Sequence, residues 1–256
     1  MNSDNKGNTK TSFFTGSKVV ITGVSSGIGL SITNVLLEQG AIVYGIARSQ
    51  DKLSDIKQKY PDNFIPVEAD LSNQSGWQAV ATAMPESIDT VILNAGTCEY
   101  MEKGKIDVDL IKRVFDINFF ANVNAANLFL NDNKWSVKQF CVVSSSAHFL
   151  AMPRGEAYGA SKAALSYFYE SIQLSYPDID FSIVHPGFVE TPLTDKNDFD
   201  MPFKISSEKA ASIIIKGLKN KKKQIDFPWF FMLILKTLGK LPSGLRYRIG
   251  KGMVKQ

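Results

Sequence analysis

The sequence predicts a single-domain α/β fold in which a doubly wound, seven-stranded parallel sheet is flanked by helices. Short apolar runs rich in β-branched residues alternate with segments of helical periodicity, which is typical of parallel sheets with right-handed crossovers. A glycine-rich turn joins the first such run to the first helical segment. With 256 residues, 44% of them hydrophobic and 21% charged, the chain is long enough to bury a large core.

Turn-forming residues bound the predicted strands, and capping residues or glycine bound the predicted helices. The predicted strands are residues 18–22, 41–47, 64–67, 88–93, 140–143, the start of 183–191, and 224–227. Helical patterns cover residues 28–38, 114–129 and 206–218, and another helix begins near residue 157. The predicted domain spans residues 17–227, between a loose polar leader over 1–16 and a basic, aromatic extension over 228–256.

The two cysteines, Cys98 and Cys141, form no CxxC pair and no cluster with histidine. This pattern argues against a zinc site and against a disulfide scaffold, and it is typical of a reducing cytosol. Residues 1–16 contain no apolar stretch, so no signal peptide is predicted. We therefore expect a cytoplasmic protein without a bound metal.

The turn after the first strand has the composition of a phosphate-binding site. Glycines allow the backbone to approach a pyrophosphate, and a helix N-terminus offers free N–H groups with a partial positive charge. A tight turn without a ligand is the alternative, but the strand and helix on either side are the context that a dinucleotide site requires. The candidate residues are Thr22, Gly23, Ser25, Ser26, Gly27, Ile28 and Gly29.

Arg48 ends the second strand, where many dinucleotide folds place an acidic residue that binds the ribose 2′-hydroxyl. A guanidinium at this position suits a 2′-phosphate, which favours NADP(H) over NAD(H). A solvated arginine is the alternative. Asp70 follows the third strand beside Leu71, and it either accepts a hydrogen bond from the adenine amino group or caps the next helix near Ser72.

Tyr158 and Lys162 lie four residues apart in a segment that reads as the start of a helix, so both are expected on one face. A nearby ammonium favours phenolate, and we therefore expect Lys162 to lower the pKa of Tyr158. A tyrosine of this kind donates or accepts a proton at a reacting oxygen. A surface helix that carries both residues by chance is the alternative.

Three motifs together resemble the short-chain dehydrogenase/reductase family. They are Thr22-Gly23-x-x-x-Gly27-Ile28-Gly29, Asn94-Ala95-Gly96 after the fourth strand, and Tyr158-x-x-x-Lys162. The glycine spacing is that of this family, and the resemblance covers roughly residues 17–227. It implies a Rossmann-like fold and hydride transfer between a nicotinamide cofactor and a carbonyl or secondary alcohol.

The resemblance also implies roles for single residues. Ser145 stands at the family's position for a serine that donates to the substrate carbonyl, thirteen residues before Tyr158. Asn118 is expected to kink its helix and hold a water, and Lys162 to hold the ribose hydroxyls. Thr191 is expected to contact the carboxamide of the nicotinamide. The other cofactor residues that we expect are Asn94, Ala95, Gly96, Pro186, Gly187 and Val189. Family members commonly form homodimers or homotetramers.

Several residues near the expected reaction centre predict an apolar substrate pocket: His148, Phe149, Met152 and Phe188. His148 replaces the glycine that is common in the family, and it either touches the substrate or caps its loop. His185, at a buried strand end, is expected to be structural. The polar, irregular stretch 192–203 is expected to form a lid over the site.

The C-terminal extension differs in charge from the rest of the chain. Eleven Lys or Arg residues and one acid, Asp226, lie after residue 215, and residues 229–235 are aromatic and apolar. This run is too short to span a membrane. Two interpretations fit it: a segment at an anionic membrane surface, or a segment that packs over the substrate cleft or a subunit interface. No motif accompanies the lysines that would indicate nucleic-acid binding.

The leading hypothesis from the sequence is an NADP(H)-dependent oxidoreductase that reduces an apolar ketone or aldehyde. Two hypotheses of other classes compete with it. One is a catalytically silent module that senses NADP(H), and the other is a membrane-surface protein that uses the fold as a scaffold. Because Ser145, Asn118, Tyr158 and Lys162 are all present, catalysis is favoured over sensing.

Overall fold

A seven-stranded parallel sheet forms the centre of the molecule in the computed structural model, which describes residues 12–102, 105–131, 134–195, 197 and 199–253. The strands are β1 Lys18–Thr22, β2 Ile42–Ala47, β3 Phe64–Glu68, β4 Thr90–Leu93, β5 Gln139–Val143, β6 Asp180–Pro186 and β7 Gln224–Phe227. Their order across the sheet is β3-β2-β1-β4-β5-β6-β7, with every pairing parallel. The predicted fold class is confirmed.

Helices cover both faces of the sheet. They are α1 Gly27–Glu38, α2 Gln50–Lys59, α3 Gln74–Ala83, α4 Val108–Phe115, α5 Ala121–Asn131, α6 Glu156–Ile172, α7 Ser207–Lys219, α8 Trp229–Gly239 and α9 Ser243–Met253. One hydrophobic cluster joins α1, α2 and α7 to the sheet, and a second joins α3, α5 and α6 to the opposite face. This three-layer arrangement is what a buried parallel sheet requires.

The strand order reverses between β1 and β4, because β1 pairs with β2 on one side and β4 on the other. In doubly wound sheets, ligands bind in the crevice outside the carboxyl ends of the strands at such a switch point. The glycine-rich turn follows β1 and the Asn94 segment follows β4, so both predicted motifs lie at this crevice.

The N-terminal leader is shorter than predicted. Residues 1–11 lie outside the described part of the chain, but residues 12–16 belong to the packed domain. The Phe14 side chain is fully buried in the cluster beneath α1, and the Ser12 hydroxyl donates to Gln39 Oε1 at 2.8 Å. The prediction of a loose leader is therefore wrong for residues 12–16, because one apolar side chain in a polar stretch reaches the core.

The predicted helix over 114–129 is three consecutive elements. Between α4 and α5 the chain makes one π-helical turn, Asp116–Phe120, with Asn118 completely buried within it. A π-turn inserts an extra residue into the helical ladder, and such turns are frequent at functional sites. This is the kink that the resemblance implies for Asn118.

The C-terminal extension begins with a helix that packs on the domain. Phe231, Met232 and Leu235 of α8 are buried against Leu150, with Phe188 partly buried beside them. The ammonium of Lys236 pairs with the Asp226 carboxylate at the end of β7. Within the described residues, no helix combines the length and the hydrophobicity that crossing a membrane demands.

Candidate active site

The cleft at the switch point has a volume of about 600 Å³ and runs from the glycine-rich turn to Tyr158. Most of the predicted cofactor residues line it: Gly23, Ser25, Ser26, Gly27, Ile28, Arg48, Asp70, Leu71, Asn94, Ala95, Gly96, Tyr158, Lys162, Pro186, Gly187, Val189 and Thr191. The exceptions are Thr22 and Gly29, which lie behind the wall. No group of residues in the described part of the chain is arranged to hold a metal ion.

The glycine-rich turn is a tight cradle in which side chains do not fit. Gly23 has a φ of 74°, and a Cβ there would lie 2.9 Å from Ala95 Cα. At Gly29 a Cβ would lie 2.2 Å from the Gly23 carbonyl oxygen. Ser26 begins α1 without capping it through its side chain, so the first N–H groups of the helix remain available to a ligand.

Thr22 and Asn94 hold the two central strands together at the floor of the cleft. The Thr22 hydroxyl oxygen accepts hydrogen bonds from the backbone N–H groups of Asn94 and Ala95, each at 3.0 Å. The Asn94 amide donates to the carbonyl oxygens of Thr22 and Gly23. Thr22 therefore shapes the site from behind instead of lining it.

The far end of the cleft carries positive charge. Arg48 and Lys52 line a second hollow that adjoins the cleft, together with the hydroxyls of Ser25, Ser26 and Ser49. Asp70 accepts hydrogen bonds from the Ser72 backbone at 3.0 Å and hydroxyl at 2.8 Å. These bonds, with a smaller effect of the Arg48 charge, hold the pKa of Asp70 below its usual value. Asn73, not Asp70, caps α3.

Ser145 and Tyr158 meet at the near end of the cleft. Both side chains line the cleft, and burial raises the pKa of Tyr158 by more than the Ser145 hydroxyl lowers it. Ser145 Oγ accepts from the Ala147 backbone N–H at 3.1 Å. Ser145 follows β5, and Tyr158 lies in the first turn of α6, so the sheet and a buried helix fix the pair. Two groups that can share a proton therefore face the cleft together.

The predicted lowering of the Tyr158 pKa by Lys162 is wrong for the protein without a bound cofactor. The Lys162 Nζ donates to the Val143 carbonyl at 2.9 Å and lies 6.0 Å from the centre of the Tyr158 ring. Burial raises the pKa of Tyr158 to about 12 and lowers the pKa of Lys162 to about 8. Both shifts have the same cause, because burial disfavours the charged form of each group.

Asn118 lies behind Lys162 and Gly96 with its amide fully engaged. Its Nδ2 donates to the Thr97 carbonyl at 2.9 Å and to Ser161 Oγ at 3.0 Å, and its Oδ1 accepts from the Thr97 N–H at 2.8 Å. The side chain thus ties the π-turn to the loop after β4 and to α6.

None of the predicted substrate residues His148, Phe149, Met152 and Phe188 lines the open cleft. Phe149, Met152 and Phe188 pack against the inner face of α8, which the sequence did not place there. The ring of His148 stacks on His185 with centroids 5.1 Å apart, and burial lowers the pKa of His148 to about 4. These side chains form an apolar wall between the cleft and α8.

His185 is structural, as expected. It is fully buried, its Nδ1 donates to Asp226 Oδ1 at 2.8 Å, and its Nε2 lies 3.3 Å from Ser166 Oγ. Burial raises the pKa of Asp226, but the hydrogen bonds from His185 and Lys236 outweigh it and hold the pKa below the usual value.

Several residues at the site were missed from the sequence. Cys98 and Tyr100 lie near Tyr158, and the Tyr100 hydroxyl donates to Asn197 Oδ1 at 2.6 Å, which ties the loop after β4 to the stretch predicted as a lid. Burial is the main cause that raises the Tyr100 pKa. Other unpredicted residues of the cleft wall include Ile46, Ala47, Ala69, Thr97, Glu99, Arg113 and Ile117. They lie in strands, helices and loops at positions without a motif, so no sequence signal identifies them. Pro192, Leu193 and Thr194 also line the cleft and belong to the stretch predicted as a lid.

Replacing Lys162 with methionine should stabilise the cofactor-free protein at pH 7. The Lys162 pKa is lowered from 10.5 to about 8, so keeping this ammonium protonated at pH 7 costs the folded protein about 3 kcal/mol. Methionine avoids this cost but loses the hydrogen bond to Val143, which reduces the gain by about 1 kcal/mol. The unfolded chain binds more protons between pH 8 and 10.5, so wild-type stability rises with pH in this window and the advantage of the variant shrinks. Urea unfolding at pH 7 and pH 10 measures both effects.

Lys216→Met, at an exposed position of α7, is the control and should change the unfolding free energy little at either pH. A Lys162→Met protein that is less stable than wild type at pH 7 would contradict the burial argument.

Comparisons with known proteins agree with this geometry. The family model for short chain dehydrogenases matches residues 17–201. An uncharacterized oxidoreductase of Saccharomyces cerevisiae is 33% identical over 218 residues, which cover 82% of this chain and 85% of the relative. A second Saccharomyces cerevisiae protein, benzil reductase ((S)-benzoin forming), is 31% identical over 193 residues, covering 70% of this chain and 73% of that protein.

Solved structures share the fold. A short chain dehydrogenase from Burkholderia cenocepacia in complex with NADP has a TM-score of 0.78 at 23% identity, covering 95% of this chain and 99% of the other. A short chain dehydrogenase/reductase from Burkholderia phymatum in complex with NAD has a TM-score of 0.77 at 19% identity, covering 87% and 92%. With the family model matching most of its length and a relative at 33% identity, the chain belongs to the short-chain dehydrogenase/reductase family.

Proposed function

We propose that this protein is an NADP(H)-dependent reductase of apolar ketones or aldehydes. As a member of its family it is an oxidoreductase acting on CH–OH donors by hydride transfer, so the proposal concerns the cofactor, the direction and the substrate. The observation that carries it is that Ser145, Tyr158 and Lys162 together line the wall of a cleft that begins at a glycine cradle.

The residues present fit a dinucleotide. The cradle has no room for side chains at Gly23 and Gly29, and the uncapped N-terminus of α1 faces the cleft. The cleft then continues past Gly96, where a Cβ would lie 3.2 Å from Asn118 Oδ1. When bound, a nicotinamide nucleotide supplies or accepts the hydride.

The protein's own groups orient the carbonyl and move the proton. Ser145 donates a hydrogen bond to the carbonyl oxygen and stabilises the charge that develops there. Tyr158 donates the proton to that oxygen, and its raised pKa keeps the phenol neutral, as a proton donor in reduction must be. We assign Lys162 to the ribose hydroxyls and Asn118 to a water on the proton path.

Arg48 supports NADP(H) over NAD(H), and Lys52 adds a second cation to the same hollow. We expect Arg48→Ala to lower kcat/KM for NADPH about a hundredfold, because it removes charge-assisted hydrogen bonds to a phosphate. For NADH the change should be less than about threefold. Initial rates with both cofactors measure this, with Lys52→Ala as a second variant of smaller effect. Equal losses with NADPH and NADH would contradict the assignment.

An apolar substrate is supported by the wall that Phe149, Met152 and Phe188 form beside the cleft. The name of the benzil reductase relative points the same way, since benzil is an aromatic ketone. We also propose that the protein works in the cytoplasm as a homodimer or homotetramer.

The test is NADPH oxidation with a panel of ketones and aldehydes graded by chain length and aromatic content. Turnover that rises with apolar size supports the proposal, because each buried methylene adds about 0.8 kcal/mol of binding. Tight NADPH binding without turnover of any carbonyl or alcohol would instead favour the NADP(H)-sensing module.

A further inference from the structure

A continuous series of aromatic rings connects the wall of the cleft to the protein surface. Phe188 contacts Phe231 with ring centroids 5.6 Å apart, and Phe231 contacts Phe203 at 6.1 Å. Phe203 contacts Phe230 at 5.9 Å, and Phe230 contacts Trp229 at 5.7 Å. The first two rings are shielded, while Phe203, Phe230 and Trp229 are exposed. Apolar side chains thus lead outward from the substrate end of the site.

The outer face of α8 extends these exposed rings into a patch. Trp229, Phe230, Leu233 and Ile234 lie on one side of the helix and are all exposed, while the opposite side is buried on the domain. Soluble monomers rarely expose contiguous apolar patches of this kind unless the patch binds something.

The next helix, α9, is largely exposed. No side chain between residues 243 and 252 is buried. Leu245 and Ile249 lie one turn apart on the same face. A helix of this length is marginal in water without tertiary packing.

The C-terminal segment that forms most of this patch carries an excess of positive charge. Asp226 is the only acid between residues 216 and 253, and its carboxylate is already bound by His185 and Lys236. Exposed cations follow the patch along the chain: Lys240, Arg246, Arg248 and Lys251. An apolar face surrounded by cations is the composition of a segment at an anionic lipid interface.

We propose that this surface binds an anionic lipid bilayer. The docking face is defined by Phe203, Trp229, Phe230, Leu233 and Ile234, with the cations Lys240, Arg246, Arg248 and Lys251. A second copy of the chain fits less well, because a two-fold contact places the same patch on both subunits and brings like charges together. Anionic headgroups neutralise these cations, and aromatic rings favour the headgroup level.

Docking in this way brings the ring series from the bilayer to the cleft wall. An apolar substrate dissolved in the membrane is then held close to the apolar wall that contains Phe188. Delivery of a membrane-dissolved substrate rests on the proposed function, whereas binding of the protein to vesicles does not. Vesicle binding is therefore measured with both the wild-type protein and the Tyr158→Phe protein.

The first experiment is flotation of the full chain with phosphatidylcholine vesicles that contain 0 or about 30% phosphatidylserine. We expect the partition coefficient to be at least about tenfold higher with phosphatidylserine and to fall as salt is added. Arg246→Gln with Arg248→Gln should lower it by about twenty-fivefold, since each basic residue near the surface contributes about fivefold. Equal binding to both vesicles, or none to either, would overturn the proposal.

Tryptophan fluorescence identifies the face that binds. Trp229 is 73% exposed, while Trp77 and Trp135 are 8% and 5% exposed, so a blue shift with vesicles reports Trp229. Trp229→Phe should abolish the shift but retain flotation. Trp229→Ser with Leu233→Ser should lower partitioning by more than about tenfold, because both side chains lose apolar contact with lipid.

Tyr167→Ser with Leu174→Ser is the matched control, since these apolar side chains are 74% and 80% exposed elsewhere on the surface. The control should bind vesicles like wild type, and an equal loss in both double variants would overturn the assigned face. A blue shift of Trp229 that grows with protein concentration in the absence of lipid would place a second copy on this face and overturn the proposal.

Discussion

Replacing Tyr158 with phenylalanine should lower kcat for carbonyl reduction by about a thousandfold while the protein still folds and binds NADPH. The substitution removes only the phenolic oxygen, and general acid catalysis contributes about a hundredfold to ten-thousandfold. Ser145 keeps its hydrogen bond from the Ala147 N–H, so the loop after β5 should hold its shape. NADPH absorbance measures turnover, and quenching of tryptophan fluorescence measures binding.

Tyr167→Phe is the control for this variant, because it removes an exposed hydroxyl from the same helix and should leave kcat unchanged. A Tyr158→Phe protein that retains more than about a tenth of wild-type turnover would show that another group supplies the proton.

Replacing Gly29 with alanine should disrupt the cofactor cradle and destabilise the fold. A Cβ there would lie 2.2 Å from the Gly23 carbonyl oxygen and 2.4 Å from Asn94 Nδ2. The first of these atoms is backbone, so the turn itself must move, which costs about 3 kcal/mol or more. We expect NADPH binding to weaken by at least about a hundredfold, with a fall in the urea midpoint.

Gly159→Ala is the matched control, because Gly159 also lies in the first turn of a helix. Its Cβ would lie 3.6 Å from the Ala147 carbonyl oxygen, which is an ordinary contact. Since alanine is the better helix former, this variant should gain about 0.5–1 kcal/mol of stability. If Gly29→Ala behaves in the same way, the cradle is not as tight as its backbone distances indicate.

The features predicted from the sequence are those that depend on neighbours along the chain. The seven strands follow from β-branched runs between turn residues, and the glycine cradle follows from the residues of one turn. The N-cap of α7 is local in the same way, because Ser206 accepts a hydrogen bond from the N–H of Lys209, three residues further along the chain. Strand ends differ from prediction by at most three residues, because the ends depend on pairing with neighbouring strands.

The predictions that failed depend on contacts between distant segments. Spacing places Tyr158 beside Lys162 but does not show how deeply both are buried, and burial sets the direction of both pKa shifts. Phe149 and Phe188 were assigned to an open pocket, because no periodicity shows that α8 returns to cover them. Phe14 reaches the core from a polar stretch for a similar reason.

The bond between Lys236 and Asp226 means that the C-terminal segment is not an interchangeable module. A protein shortened after residue 228 keeps all three sequence motifs but loses the cation that neutralises Asp226 beside His185. His185 stacks on His148, only three residues beyond Ser145, so the cut removes support from the catalytic turn. Exchanging this segment between homologues therefore requires that Lys236 and Asp226 be exchanged together. Family members that lack either residue must stabilise the surroundings of His185 by other contacts.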